Sequence, residues 1–317
     1  MAEAPPTTHT YTPRSELRHQ KPASLKRLLI PILLIGVGVL VLMYPVVATL
    51  HNNRAQNSIA SKYDEKITTQ TPALIEQELD SARAYNAGIS GLPILDPWLE
   101  RVAKDNDPYR RYSNELDLTT EMARVMVPKA HIDLPVYHGT STEVLERGVG
   151  HLYGSSLPVG GRNTHTVLTG HSGLPSATLF DHLRDVRRGD QIFLRVLGKT
   201  LEYRVTEIQV VLPDEVDSLR PREGQDLVTL LTCTPYGVNS HRLLVTGERV
   251  VPPSTDGVPV MDATQWQWWM VLALLIAILA LIALALWLHR QLHRRLQRQQ
   301  DTPVQDVSKD TPDRRNP

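Results

Sequence analysis

The chain has 317 residues, enough for one or two domains, and its 34 basic and 34 acidic side chains cancel. That balance excludes a broad basic surface for nucleic acid as its organising feature. A single cysteine excludes an internal disulfide framework and leaves one thiol to be explained.

Residues 1–27 and 289–317 read as polar tails with several arginines. Two uncharged apolar stretches flank the middle of the chain, residues 28–50 (LLIPILLIGVGVLVLMYPVVATL) and 268–288 (WWMVLALLIAILALIALALWL). Each is long enough for a transmembrane helix, which needs about 20 residues. Pro31 and Pro45 fall near the ends of the first, where a missing backbone donor does least harm. The first lacks a small-x-small cleavage site and reads as a retained anchor rather than a signal peptide. Arg14, Arg18, Lys21, Lys26 and Arg27 precede the first span, and Arg290, Arg294, Arg295 and Arg298 follow the second. The positive-inside rule then puts both termini in the cytoplasm and the region between the spans outside. Trp266, Trp268 and Trp269 would lie at the outer interface and Trp287 at the inner one.

Residues 51–115 read as an extracytoplasmic helical region and lid. Thr71 is an N-cap, Pro72 takes the first helical position and Gly88 closes that helix. GISGLPILDPWLERVAKDNDPYRRY, rich in Gly, Pro and Asp, reads as loop. Residues 116–252 change texture. ARVMVPKAHI, DLPVYHG, HTVLTG, QIFLRVLG, LEYRVTEIQVV, LVTLLTC and RLLVTGERV are strand-like runs bounded by turn residues. Leu197-Gly-Lys-Thr200 separates two of them as a hairpin turn would. TEVLERGV and ATLFDHLRDV read as short helices, and residues 253–267 as a linker. Seven or eight strands over about 130 residues predict a mainly β sandwich or barrel.

The thiol sits where one strand stops. LVTLLTC ends at Cys233 because Thr234-Pro-Tyr-Gly237 is turn chemistry, and the next strand begins at Arg242. A hairpin brings those two ends together, so an always-charged guanidinium lies over the sulfur. A nucleophilic thiol also needs a base. Of 12 histidines, His171 directly follows the apolar strand TVLTG and is flanked by glycines. If that strand runs parallel beside the Cys233 strand, both side chains come to one end. His241 is the rival, but alternation turns it to the face opposite Arg242.

These residues carry a resemblance. TLLTCTPYGVNSHRLLVTGER with LTGHSGLPSATLFDHL resembles the sortase family, specifically its class C, pilus-assembling members. The family's TLxTC motif matches Thr229 through Cys233 without a mismatch, and the likeness covers roughly residues 60–250. Asp96-Pro97-Trp98 resembles the Asp-Pro-aromatic motif of the class C lid, and a second membrane span is also a class C trait. The resemblance implies an eight-stranded β-barrel and a cysteine transpeptidase without a cofactor. It implies that Cys233 attacks the Thr carbonyl of an LPxTG-type sorting signal. His171 moves protons, Arg242 holds the oxyanion or substrate backbone, and Asp96 and Trp98 cover the cleft. The thioacyl-enzyme would then pass to a pilin lysine or, in an anchoring sortase, to a cell-wall precursor amine. His138-Gly139-Thr140 resembles part of an L,D-transpeptidase pattern, yet that family's Ser-His-Gly-Cys is absent around Cys233. No zinc or P-loop motif occurs, no loop has calcium-ligand spacing, and two uncharged spans offer no polar pathway for transport.

Overall fold

The computed structural model describes residues 25–89, 96–97, 106–253 and 266–300. Contacts divide the chain into two compact units, one of residues 43–273 and one of the outer ends of the chain. In the outer unit the described chain is helical: the start of α1 (Leu25–Thr68) and most of α5 (Trp268–Gln300). Both helices are long and apolar enough to cross a bilayer.

α1 runs unbroken for 44 residues. At 1.5 Å per residue it is roughly 66 Å long, about twice a bilayer's hydrocarbon thickness. The sequence led us to expect a span ending at residue 50 near Pro45; instead the helix continues through both. The reason is a stripe of buried residues, Val46, Thr49, Gln56, Ala60, Tyr63 and Ile67, at helical spacing. That stripe lays the helix against the rest of its unit. Arg124 on the first strand ties it down further, bonding Asp64 at 2.6 Å and Asp133 at 2.6 Å, while Arg195 reaches Asp64 at 2.7 Å.

α2 (Pro72–Gly88) starts and ends where its capping residues predict, with the Thr71 side chain accepting from Leu74 N–H. It buries Leu79, Ala82 and Tyr85. The expected loop after it contains a short helix, α3 (Asp107–Ser113), capped by Asn106, with a proline in its first turn. Its Tyr112 is wholly buried, which supplies the stabilisation that a Gly- and Pro-rich composition conceals.

Eight strands close a barrel: β1 (Ala123–Val127), β2 (Ile132–His138), β3 (Val149–His151), β4 (Thr164–Thr169), β5 (Gln191–Val196), β6 (Lys199–Val211), β7 (Asp226–Thr234) and β8 (His241–Arg249). Their order around the barrel is β1-β2-β3-β4-β7-β8-β6-β5. β2 and β3 pair parallel, as do β4 and β7; the other neighbours are antiparallel. β3, only three residues long, gave no strand signal in the sequence. TEVLERGV holds α4 (Thr142–Arg147), whereas ATLFDHLRDV yields a single 3-10 turn at Leu183–Asp185. The β5–β6 hairpin closes on two residues, Leu197 and Gly198, both with positive φ, the geometry that matches strand twist.

Alternation along the strands sorts two apolar clusters. Leu168, Val228, Leu230, Leu243 and Val245 belong to the main core inside the barrel. Val167, Leu231 and Leu244 point the other way and form a second cluster with Leu152 and Leu219. The Tyr63 hydroxyl is the polar pin between α1 and the barrel, donating to the Met122 carbonyl at 3.1 Å and accepting from Leu197 N–H at 2.8 Å. Tyr63→Phe leaves two buried backbone groups unpaired and is expected to cost about 1–3 kcal/mol. Denaturant unfolding measures it, and an unchanged midpoint would dismiss the pin.

Candidate active site

β7 and β8 set the surroundings of Cys233. Their antiparallel register pairs Cys233 directly with Arg242. Cys233 lies two residues beyond Leu231, and Arg242 two before Leu244, so alternation puts both on the outer face, beside the second cluster. His241 pairs with Thr234, one step out of phase, and its Nδ1 bonds the Ser240 hydroxyl at 2.8 Å.

β4 runs parallel to β7, with Thr169 opposite Leu231. Continuing that register by two places brings His171 level with Cys233. Three bonds hold the chains together past the ladder's end. Gly170 N–H donates to the Leu231 carbonyl at 3.1 Å, the Thr232 hydroxyl to the Gly170 carbonyl at 2.7 Å, and the Ser172 hydroxyl to the Cys233 carbonyl at 2.8 Å. Three positions separated by 62 and 9 places in the sequence therefore converge at one end of the sheet.

Arg242 is fully engaged. Its Nε and Nη2 donate to the two carboxylate oxygens of Asp96 at 2.6 and 3.1 Å, and Nη1 donates to the carbonyls of Asn239 and His241. Arg242 and Asp96 are only 7% and 4% exposed at their side chains, so this bidentate pair is out of water. Asp96 and Pro97 also border a pocket with Leu231, Leu244, Val216 and Leu219, over the second cluster. Trp98 lies outside the described residues.

Burial pushes the Cys233 thiol above its usual range; Arg242 pulls it down and Asp96 pushes it back up. Burial pushes His171 the other way, below the ordinary imidazole value, with Glu146 of α4 opposing. Both shifts favour an uncharged thiol beside an uncharged imidazole while Asp96 is in place. Other histidines are differently employed. His151 and His165 are buried with both ring nitrogens bonded, to Tyr112 and the Ser156 carbonyl in one case and to Thr229 and the Arg220 carbonyl in the other. Each is lowered to about 4 by desolvation, so both are neutral imidazoles at neutral pH. His138 bonds the Glu115 carbonyl at 2.7 Å. Glu146 and Ser172 were not singled out in the sequence; neither sits in a pattern that marks it. Among the described residues, no group of three or more His, Cys, Asp or Glu could hold a metal.

A sortase-domain family model matches residues 125–250, the length of the barrel. Sortase C-1 from Actinomyces oris is 56% identical, over 56% of this chain and 98% of that one, with a TM-score of 0.54. The chain belongs to the sortase family. Sortase C from Streptococcus pneumoniae is 39% identical over 64% of this chain and 100% of that one, with a TM-score of 0.57. Sortase A from Corynebacterium diphtheriae is 47% identical over 64% and 94%, with a TM-score of 0.58. These neighbours place the sortase in class C, a cysteine transpeptidase, and its two apolar helices make it membrane-anchored. It spans 77%, 61% and 45% of the length of three curated sortases, each 29% identical to it.

The charges around sulfur make a measurable prediction. Asp96→Asn removes the carboxylate that raises the thiol and leaves Arg242 to act alone, so the thiol pKa falls. Alkylation of Cys233 should then be several-fold faster at neutral pH, with its pH midpoint moved down. A midpoint that stays put or rises would show that Asp96 does not govern the sulfur.

Proposed function

We propose that this sortase cleaves an LPxTG-type sorting signal between Thr and Gly and transfers the acyl group to a pilin lysine, polymerising pilins. Supporting it is the register that sets Arg242 opposite Cys233, with His171 level on the next strand. In the proposed sequence the Cys233 sulfur attacks the Thr carbonyl carbon and its proton passes to His171. Arg242 stabilises the oxyanion, the C–N bond to Gly breaks, and the imidazolium protonates the departing amine. An incoming neutral amine then attacks the thioester, gives its proton to His171 and releases the sulfur.

Asp96, with Trp98, is proposed as a lid. A guanidinium already holding a carboxylate with two bonds has no pair of donors left for an oxyanion, so substrate must displace Asp96 first. A cell-wall precursor amine is the second acceptor reading; the Asp96 contact and the second apolar helix favour the pilin one. A barrel that holds sorting signals without chemistry is a third reading, disfavoured by the convergence around the thiol. The basic flanks of both spans put the termini in the cytoplasm and the barrel outside.

Mass spectrometry of the enzyme with an LPxTG peptide tests the chemistry. Cys233→Ala should form no thioacyl species, while Arg242→Ala and His171→Ala should each slow its turnover by about 10²-fold or more. An adduct on another residue would overturn the assignment. Adding a pilin should yield lysine-linked polymers; products joined only to a cell-wall peptide amine would transfer the conclusion to anchoring.

A further inference from the structure

His171 is the one member of the proposed trio that no strand holds. β4 ends at Thr169, and His171 opens a loop that returns at Phe180, whose N–H donates to the His171 carbonyl at 3.0 Å. The Phe180 ring lies against Gly170, so close that a Cβ there would sit 2.8 Å from it. Gly173 N–H donates to Asp181 at 2.6 Å. The neck of the loop is thus closed, and residues 174–178 form its tip.

The tip is held by the part of α1 just past residue 48 and by the residue before α5, all within the 43–273 unit. On α1, Thr49, Asn52 and Asn53 lie on one face, three and four residues apart. The Thr49 hydroxyl donates to the Pro175 carbonyl at 3.1 Å, and the Asn52 amide to the Ser176 carbonyl at 2.9 Å. Asn53 makes a reciprocal pair with Thr178: its Nδ2 donates to the hydroxyl at 2.8 Å, and its Oδ1 accepts from Thr178 N–H at 3.1 Å. From just before α5, Gln267 Nε2 donates to the same Thr178 hydroxyl at 3.0 Å, and Gln267 in turn accepts from Trp269. Thr49 is 1% exposed, so its bond is shielded from water. Five hydrogen bonds from two segments more than 200 residues apart in sequence therefore meet on residues 175–178.

We propose that Thr49, Asn52, Asn53 and Gln267 are positioning residues for His171, acting through the loop tip that they hold. The inference rests on the reading of His171 as the proton carrier. The Cys233–Arg242 hairpin keeps its register through its own ladder of eight paired positions. Loss of the four positioning residues should therefore act on the histidine and leave the sulfur alone. A displacement near 1 Å at a reacting group is enough for a large rate loss.

The test uses the full chain in lipid nanodiscs, in an Asp96→Asn background so that the lid does not limit the rate. Asn53→Leu and Thr178→Val should each lower kcat for peptide cleavage about tenfold with KM within about twofold. The limb of the pH–rate profile that belongs to the histidine should also move. Asn53→Asp, which still accepts from Thr178 N–H and takes its hydroxyl proton, should restore kcat to within about twofold. Iodoacetamide labelling of Cys233 should run at the parent rate in all three. Thr178→Val decides the matter alone should Asn53→Leu not fold. Parent-like kcat in both variants, with His171→Ala inactive, overturns the clasp and leaves the mechanism standing. An active His171→Ala overturns the mechanism beneath it. A fall in kcat matched by slower labelling also overturns the clasp, since the damage is then general.

Discussion

The parallel pairing of β4 with β7 is the constraint on which the site depends. Parallel neighbours cannot be joined by a tight turn, so the chain between them must leave and return. Here it does so through β5 and β6, which close the other side of the barrel. The outcome is that two strand ends 62 positions apart point the same way at the same level. An antiparallel arrangement would send the histidine to the far end of the sheet. The β7–β8 hairpin adds Arg242 at the cost of a short turn only. One parallel contact and one antiparallel contact, on either side of a single strand, suffice to surround the thiol.

The second feature is a charge pair where water is scarce. Desolvating a guanidinium and a carboxylate is expensive, and even a bidentate contact often repays little more than that. Such a pair is weak evidence for stability. Its consequence for chemistry is direct, because it occupies the donors an oxyanion would need and places a negative charge where a thiolate would form. Leu231 and Leu244 extend beneath the same pocket, giving a displacing peptide an apolar floor. Electrostatic and steric obstruction coincide there.

Local chemistry was legible in the sequence wherever it decides local structure. The Thr71 cap, Pro72 and Gly88 bound α2, and the strand-stop at Cys233 with a restart at Arg242 implied the hairpin. Two kinds of feature were not. Elements whose stabilisation is tertiary left no signal: β3 is too short for alternation to show, and α3 rests on the burial of Tyr112. Contacts between distant segments left none either. Asp96 reaches Arg242 across 146 positions, and only the family resemblance drew attention to it. Glu146, which raises His171 against burial, sits on an ordinary amphipathic turn. The burial of the second half of α1 left no signal because its buried stripe mixes Thr49 and Gln56 with Ala60, Tyr63 and Ile67.

Strand and loop therefore divide the site unequally. Cys233 and Arg242 are fixed by eight consecutive paired positions between β7 and β8. Local opening free energies are highest in such ladders and lowest in loops beyond them. His171 lies two residues past the last paired position of β4, in the loop beyond the ladder. In the proposed mechanism His171 carries the proton, and transfer requires hydrogen-bond reach. Past the ladder, Gly170 and Ser172 are bonded to β7, and the rest of the loop is held by Phe180 at its neck and by Thr49, Asn52, Asn53 and Gln267 at its tip. Residues just beyond the apolar stretch of α1 hold the tip of the loop that begins at the imidazole, so the backbone past the strand end is tied at two places, its neck and its tip.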